Sequence, residues 1–569
     1  MTARAVDQPD AFDLQQVPFS VSGSWLDLSP VVGLHTSAED VHLVSHVNGM
    51  HAVLALQPAR DGQPVDAAWH ATPSVLTWSA PGGGVVRAVF DGPHRVRLRG
   101  RGLAMRLTEA AGELTPFTGA YLYLDPVDGA HVLTSYETGR RYRVRMTEGT
   151  LAATGVEALG RAERSLLLGD DRAEWEAELV ESTSSAPAFG GGSFDDVVAA
   201  RRAEFEAYAD GLAPRTGAAP AARLAAYVLW ASTVAPDGLV TRESVLMSMH
   251  WMDKVWSWDH CFNALALAPA RPDLALDQWL APFDHQDEAG ALPDSVTHSE
   301  VLHNFVKPPV HGWAFAALRA SLAREPTRAE LELVNDRLAR WTSYWLDHRR
   351  VPGHVLPHYQ HGNDSGWDNS TAFDVDRVAE SPDLAAFLVV QLDVLDALGR
   401  ELGRPDERWA RESRAVLDAL LTTLWTPDGF VAVGAVSGRA GGTSSLLTLM
   451  PLLLGERLPD DVRTLLVDRV RQHLTPHGLA TEPVTSPDYQ PDGYWRGPIW
   501  APSTALVVDG LRRCGEHALA DEVSRRFLAL CERSGFAENF DAVEGTGLRD
   551  RAYTWTAAVY LLLARDLAS

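Results

Sequence analysis

The sequence predicts an (α/α)6 barrel, a ring of six helical hairpins, preceded by a β-sandwich. Short runs of strand-forming residues fill the first 190 positions, whereas helical patterns fill the chain from residue 221 onward. The connections between the helical segments alternate between long and short. The predicted organisation is therefore a sandwich domain (1–190), a linker with a connecting helix (191–220) and a barrel domain (221–569).

The predicted sandwich consists of short alternating segments separated by turn residues. VVRAVF (85–90), HRVRLRG (94–100) and RYRVRMT (141–147) are examples, and turns such as APGGG and DGPH lie between such runs. Many short strands at near-regular spacing are typical of a sandwich. The stretch ESTSSAPAFGGGS (181–193) has the composition of a linker, and Ser193 is predicted to cap the connecting helix that follows.

The predicted barrel contains twelve helical segments. Segments 5, 7, 9 and 11 are charged and amphipathic, whereas segments 8, 10 and 12 are more uniformly apolar. Since short links join neighbouring antiparallel helices, we expect an outer and an inner ring, with all six long loops at one end. Loops of such length in a compact domain indicate a pocket. The segments lie near 221–235, 258–269, 273–286, 310–323, 327–348, 381–402, 406–425, 442–455, 459–474, 499–515, 517–533 and 551–567.

Composition and charge exclude several classes of protein. The net charge of −25 argues against nucleic acid or an anionic membrane as a partner. The chain has no apolar run of about 18 residues, and its N-terminal segment MTARAVDQPDAFD lacks the apolar stretch of a signal peptide. Three cysteines do not form a disulfide framework. These features predict a cytoplasmic protein that acts on a small neutral substrate, without a cofactor.

The third long loop contains the sequence HGNDSGWDNSTAFD, with three acids close together. Loops rich in acids and turn residues commonly carry the chemistry of a rigid helical scaffold. We predict that Asp368, beside Trp367, is a catalytic acid, and an Asx turn or a helix cap is the alternative reading of this position. The other two acids are Asp364 and Asp374.

All the remaining long loops except the small, glycine-rich fourth one bring aromatic and charged residues to the same mouth. Such aromatic platforms and carboxylates, without a nucleophile elbow or a phosphate-binding loop, indicate a sugar site, because aromatic faces stack on sugar rings. The residues are Trp251, Trp256, Trp258 and Asp259 in loop one, Asp294, His298, His303 and Lys307 in loop two, Tyr494, Trp495, Arg496 and Trp500 in loop five, and Glu538, Asp541 and Glu544 in loop six.

Hydrolysis of a glycoside needs two carboxyl groups that face each other across the scissile bond. Asp368 and Glu538 lie in loops three and six, on opposite sides of a six-fold ring, which leaves room for a water molecule between them. Asp541 and Glu544 compete with Glu538 for this role, and a surface acid is the alternative reading of Glu538.

The motifs WSWDHCFNALAL, GWDNST, GYWRGPIW and ENFDAVEGTG, in this order within a helical frame, resemble glycoside hydrolase family 63. The resemblance covers about 230–569. It implies an inverting enzyme, with α-glucosidase activity foremost and hydrolysis of glucosylglycerate or mannosylglycerate as the alternative. It also implies Asp368 as the general acid and Glu538 as the general base, although DAVEGTG lacks the family's proline and is longer. The sugar-binding residues that it implies are Trp258, Asp259, Trp367, Tyr494, Trp495, Arg496 and Trp500, to which loop one adds Trp256.

Two other functions are compatible with parts of the sequence. The first is a carbohydrate-binding barrel without activity, against which the retention of both acids speaks. The second is a metal-dependent hydrolase or lyase, because His298 and His303 lie in loop two and three further histidines in loop three. No HExxH motif or tight Cys/His spacing supports a metal site, and none is predicted.

Overall fold

The computed structural model describes residues 10–185, 188, 190–214 and 219–568. Most of the N-terminal segment in which no signal peptide was expected, and part of the predicted linker 181–193, lie outside the described residues.

Two antiparallel sheets form the N-terminal sandwich. Their orders are β1-β2-β3-β9-β14-β13, with β4 paired to β3, and β10-β11-β12-β15-β8-β7-β6-β5. Leu43 and Leu107 of the first sheet and Leu98 and Leu179 of the second belong to one buried core. The strands are β1 Leu26–Gly33, β2 Thr36–Ser45, β3 His51–Arg60, β4 Gln63–Pro64, β5 Ala68–Thr72, β6 Val75–Ser79, β7 Val85–Phe90, β8 Arg95–Arg101, β9 Ala104–Glu109, β10 Ala120–Leu124, β11 His131–Ser135, β12 Arg141–Glu148, β13 Leu151–Thr154, β14 Ser165–Leu168 and β15 Glu174–Ser182.

Several of these strands are absent from the sequence prediction. The sequence of β15 is EWEAELVES, and its many glutamates make it look like an exposed segment. In the structure, Trp175, Ala177 and Leu179 alternate along the strand and are buried. β1 contains Pro30, which a strand tolerates here because β1 lies at the edge of its sheet.

Helix α1 (Phe194–Leu212) connects the sandwich to the barrel. The Ser193 side chain caps it, and the Ser193 backbone nitrogen donates to the Asp196 carboxylate, which completes a capping box and confirms the predicted cap. Phe205 of α1 packs against Trp230 of the first barrel helix at a centroid distance of 5.6 Å. That helix is consequently buried on most sides, although it belongs to the outer ring.

Twelve helices in the described part of the chain form the barrel, as two concentric rings. Each inner helix contacts the next, and the last contacts the first, so that the inner ring is closed. The fold-class prediction of an (α/α)6 barrel after a β-sandwich is confirmed. The inner helices are α3 Asp259–Leu267, α5 His311–Ser321, α7 Pro382–Glu401, the 3-10 helix Leu446–Arg457, α10 Ala501–Arg513 and α12 Thr554–Ala568, and the outer ones are α2 Ala222–Ala231, α4 Pro272–Leu280, α6 Arg328–His348, α8 Glu407–Ala419, α9 Asp460–His473 and α11 His517–Ser534.

The fourth inner helix differs from its prediction. The apolar segment 442–455 suggested an α-helix, but Leu446–Arg457 is a 3-10 helix. Pro451 lies inside it, and Gly455 has a φ of 52°. Proline removes a backbone donor and clashes with the preceding turn, so an α-helix cannot continue through this segment.

The long loops emerge at the N-terminal ends of the inner helices. Asp259 is the first residue of α3, Trp500 directly precedes α10, and Tyr553 directly precedes α12. In the described ranges, no helix has a stretch long and apolar enough to cross a bilayer. The domain division at 190 and 221 stays a prediction.

Candidate active site

A cavity of about 210 Å³ opens among the loops at this end of the barrel. Loops one, two, three and five and the start of α12 contribute to its wall, which combines aromatic faces with three acids and one lysine. The lining residues are Met252, Trp256, Trp258, Asp259, Asp294, Lys307, Asn363, Gly366, Asp368, Tyr494, Trp495, Trp500, Tyr553 and Trp555.

Stacked indole rings form one side of the cavity. Trp495 and Trp500 are parallel, with centroids 4.0 Å apart and planes inclined by 6°. Trp555 meets Trp500 and Trp258 edge-on, at 5.5 Å in each case. Trp367 is fully buried behind this wall, 4.6 Å from Trp495. Because each ring is held by its neighbours, this wall is rigid.

The three acids of loop three have different surroundings. Asp364 is buried and accepts a hydrogen bond of 2.8 Å from Arg349. Asp374 accepts one from Arg496, at 2.5 Å. The carboxylate of Asp368 has no hydrogen bond to another residue in the part of the chain that the structure describes, and it faces the cavity. The side chain of Asp368 therefore forms neither an Asx turn nor a helix cap.

Asn369 fixes loop three to loop five. Its amide nitrogen donates to the carbonyl of Gly493 (3.0 Å), and its amide oxygen accepts from the backbone of Trp495 (3.0 Å). Gly366 has a φ of 74°, and a Cβ there would lie 2.6 Å from the Trp258 ring. The GWDN motif therefore needs a glycine and an asparagine at these positions to bring Asp368 beside the aromatic wall.

Lys307 lies at the centre of a cluster of carboxylates. Its ammonium is 2.9 Å from Asp294, and it donates to the carbonyl of Asn363 at 3.2 Å. Burial lowers the pKa of Lys307, but Asp368, Asp294 and Asp259 together raise it above its usual value. Burial raises the pKa of Asp368, and the positive charge of Lys307 opposes this effect.

Asp259 is a buried acid with an unused acceptor. Its Oδ2 has no hydrogen-bond partner in the described ranges, and its side chain does not cap α3. Burial raises the pKa of Asp259 to about 8, with Lys307 opposing and Asp294 and Asp368 reinforcing the shift. A buried polar atom without a partner in the protein is free to bind a ligand.

Glu538 lies behind Tyr494 and does not line the cavity itself. Its backbone nitrogen donates to the carbonyl of Asp550 (2.8 Å), and the Tyr494 hydroxyl lies beside its carboxyl and lowers its pKa. Burial raises the pKa of Glu538 to about 8. The negative charges of Asp550 and Asp368 add to this effect, and Arg549 and the Tyr494 hydrogen bond oppose it.

The two competing acids of loop six have other surroundings. Asp541 accepts hydrogen bonds from the backbone of Val543 (2.7 Å) and Glu544 (2.9 Å), and so closes a turn. The side chain of Glu544 is exposed. Of these three acids, only Glu538 is buried, and its pKa is lowered by Tyr494, a residue of the cavity wall.

The family model of the mannosylglycerate hydrolase MGH1-like glycoside hydrolase domain matches residues 252–556, more than half of the chain. The chain belongs to this family. It is thereby a glycoside hydrolase of family 63, as the motifs predicted. The matched segment begins at a residue of the cavity wall and ends just after Trp555, so it contains the whole wall.

Individual relatives support this membership. The mannosylglycerate hydrolase of Rubrobacter radiotolerans is 26% identical over 434 residues, which cover 57% of this chain and 96% of that relative. The crystal structure of a family 63 mannosylglycerate hydrolase from Thermus thermophilus, in complex with glucose, has a TM-score of 0.53, at 24% identity over 59% of this chain and 98% of its own. A bacterial glucoamylase complexed with acarbose has a TM-score of 0.66 at 12% identity, over 99% of this chain and 96% of its own. At these identities the two structures establish the fold alone.

The structure brings together seven of the ten site residues predicted from the sequence of this family 63 member. Three are not in the cavity wall: Trp367 lies behind it, Glu538 lies behind Tyr494, and Arg496 binds the loop backbone. The Arg496 guanidinium donates to the carbonyl of Asn369 (2.7 Å) as well as to Asp374. The seven are Trp256, Trp258, Asp259, Asp368, Tyr494, Trp495 and Trp500.

Sequence reasoning missed several residues of the wall. Asp294 and Lys307 were noted in loop two without a role, and their spacing gave no sign that they would pair. Tyr553 and Trp555 were read as part of an apolar helix, although a helix that begins at a pocket exposes its first turn to it.

A larger groove of about 970 Å³ lies between loops three and four. It contains the pair His354–Glu380, but its described lining includes no Trp, Tyr or Phe. Among the described residues, no group of three or more His, Cys, Asp or Glu side chains is arranged to hold a metal ion. The aromatic cavity is therefore the better candidate for the sugar site.

Proposed function

We propose that this family 63 enzyme is an inverting, exo-acting hydrolase that removes one terminal hexose from a small α-glycoside. The observation that carries the proposal is the aromatic cavity, with Asp368 on its wall and Glu538 linked to it through Tyr494. A pocket of about 210 Å³ suits one terminal ring, whereas internal cleavage of a polysaccharide needs a longer cleft.

Asp368 is proposed as the general acid. Its raised pKa favours the protonated form, which can donate to the leaving oxygen. Its carboxyl has no competing hydrogen bond to another residue within the described ranges and is free to reach the glycosidic oxygen. The positive charge of Lys307 stabilises the carboxylate that remains after the proton has left.

Glu538 is proposed as the general base that activates the attacking water. The Tyr494 hydroxyl binds the carboxylate and leaves further lone pairs for the water. Enzymes that invert the anomeric centre hold the two carboxyls roughly 6.5–9.5 Å apart, so that a water fits between base and sugar. Glu538 does not line the cavity that Asp368 lines, which favours a water between Glu538 and the sugar over direct attack by its carboxylate.

Asp259 and Lys307 are proposed to hold the sugar hydroxyls. The unpartnered Oδ2 of Asp259 can form a hydrogen bond with a sugar hydroxyl, and Lys307 can donate one to another. Trp495 and Trp500 provide the adjoining apolar face. Together these groups orient the ring, so that its anomeric carbon lies between the two catalytic carboxyls.

An α-glucoside is the first candidate substrate, and a hexoside of a small carboxylic acid is the second. The second is favoured by the relative from Rubrobacter radiotolerans, which is a mannosylglycerate hydrolase. It is also favoured by Lys254, whose ammonium lies 6.0 Å from the ring centroid of Trp256 on the cavity wall. No ion pair of Lys254 is found within the described residues. Its positive charge at the mouth of the cavity is therefore available to the carboxylate of such a substrate.

Turnover of a panel of small glycosides tests this proposal. Maltose, trehalose, an aryl α-glucoside, glucosylglycerate and mannosylglycerate are incubated with the enzyme and with Asp368→Asn, and the released monosaccharide is quantified. We expect release from at least one substrate by the wild type alone. Lys254→Ala should lower kcat/KM selectively for the glycerate substrates if the aglycone is anionic. Absence of turnover throughout the panel would contradict the proposal.

A further inference from the structure

A small hydrophobic cluster joins the sandwich to the first two substrate loops. Trp25 and Val47 of the sandwich pack there with Leu246, Val255 and Val296 of the barrel, apart from the main core. The Trp25 indole donates to the carbonyl of Ala235 at 2.9 Å. The sandwich is therefore attached to the loop end of the barrel, where substrate binds.

A buried ionic triad extends this contact towards the cavity. His46 of the sandwich is 2.8 Å from Asp27 through Nε2 and 3.1 Å from Asp253 through Nδ1. Their exposed fractions are 1%, 0% and 6%. Burial lowers the pKa of His46, but its hydrogen bonds to Asp253 and Asp27 raise it to about 9. His46 therefore bridges the two carboxyl groups and joins loop one to the sandwich.

Asp253 is close in sequence to two residues of the cavity wall. Met252 precedes it directly, and Trp256 follows three residues later. The short strand Val255–Trp256 pairs with Ser295–Val296, which follows Asp294, the partner of Lys307. A displacement of Asp253 would thus move both the Trp256 face and the Asp294–Lys307 pair.

We propose that His46 is a positioning residue for substrate binding, through which the N-terminal sandwich fixes the Trp256 side of the sugar cavity. This inference rests on the proposed function. Asp368 and Glu538 are carried by loops three and six rather than by loops one and two. Loss of the triad should therefore weaken binding of the sugar more than it slows the chemical step.

Kinetics of His46→Gln test the proposal, with His94→Gln as the matched control. Glutamine can bind only one of the two carboxylates well, so loop one loses its anchor. His94 also pairs with a carboxylate, Glu181 at 3.2 Å, but both lie within the sandwich. We expect KM to rise by about tenfold in His46→Gln with kcat changed less than about threefold, and both to stay normal in the control.

Hydrogen exchange provides a readout that does not depend on activity. Backbone amides of residues 246–257 should exchange faster in His46→Gln than in the wild type, while those of β8 and β15 stay protected. If His46→Gln does not fold, Asp253→Asn keeps the shape of the loop and should show the same changes to a smaller extent.

The outcomes separate this inference from the proposed function. An inactive wild type would refute the proposed function, and the exchange pattern would still decide whether His46 holds loop one. An active wild type in which both variants leave KM and the exchange of 246–257 unchanged would overturn the role of His46. A fall in kcat with KM unchanged would overturn it as well.

Discussion

The Tyr494 hydroxyl lies beside the carboxyl of Glu538 and lowers its pKa, while the Tyr494 side chain lines the aromatic cavity. The backbone φ angle of Tyr494 is 63°, which lies in the left-handed region that residues other than glycine rarely adopt. The Trp500 indole binds its carbonyl at 2.9 Å, and the Arg549 guanidinium lies 4.9 Å from its ring centroid. Several contacts thus hold Tyr494 in a strained conformation, as is common at functional sites.

Tyr494→Phe should move the acid limb of the pH–rate profile to higher pH. The Tyr494 hydrogen bond lowers the pKa of Glu538, so its loss raises the pKa and keeps the base protonated over a wider range. Hydrogen bonds to charged groups contribute about 1.5–3 kcal/mol, so we expect kcat/KM to fall roughly tenfold or more on the acid side. A profile of kcat/KM against pH measures the shift. An unmoved acid limb would separate Tyr494 from the base.

Asp368→Asn should reduce turnover of natural glycosides by about 10²- to 10⁴-fold, the usual contribution of a positioned acid. The fold should persist, because the Asp368 side chain makes no hydrogen bond to another residue in the described part of the chain. A glycosyl fluoride, whose leaving group needs little protonation, should be hydrolysed with a much smaller loss. Equal losses with both substrates would mean that Asp368 does not act as the acid.

Asp259→Asn should weaken sugar binding and yet stabilise the free enzyme at alkaline pH. The pKa of Asp259 is raised to about 8 in the folded protein, above its usual value of 3.8, so the folded state binds the extra proton. Stability is then lost as the pH rises from about 4 towards 8. Asparagine does not ionise, so the variant does not lose stability in this way, and its Tm should exceed that of the wild type at pH 8. Its KM should be higher than that of the wild type. A lower Tm at pH 8 with normal kinetics would instead indicate a structural role.

The sequence predicted the frame of the molecule better than the orientation of its side chains. Helical periodicity and alternating loop lengths depend on many residues and survive local errors, which is why the double ring was predictable. Arg496 and Trp367 belong to genuine motifs, but whether they face the sugar or the loop behind it depends on contacts across loops. The pairing of Lys307 with Asp294 also depends on tertiary structure, because no sequence spacing encodes it.

The loop acids illustrate the same limit. Local sequence could not separate Glu538 from Asp541 and Glu544, because all three follow one another in an irregular loop. Burial separates them: Glu538 is 2% exposed, whereas Asp541 closes a turn and Glu544 faces solvent. Asp368 was easier to identify, because the GWDN motif surrounds it with residues that have recognisable structural needs.

Glu538→Ala should lower kcat by about 10²- to 10⁴-fold, because the water loses its base. Glu544→Gln is the matched control and should behave as the wild type, since its side chain is exposed. Asp541→Asn should lower thermal stability with little change in kcat, because it weakens a turn. An active Glu538→Ala beside an inactive Glu544→Gln would assign the base to a different residue of loop six.

The stereochemistry of the product tests the central assignment of Asp368 and Glu538 most directly. Proton NMR of the anomeric signals during the first minutes of hydrolysis shows which anomer forms before mutarotation. If Glu538 activates a water and Asp368 protonates the leaving oxygen in a single displacement, an α-glycoside should release the β-anomer first, and no glycosyl–enzyme ester should form. Initial release of the α-anomer, or a sugar ester trapped on either carboxyl, would contradict the account.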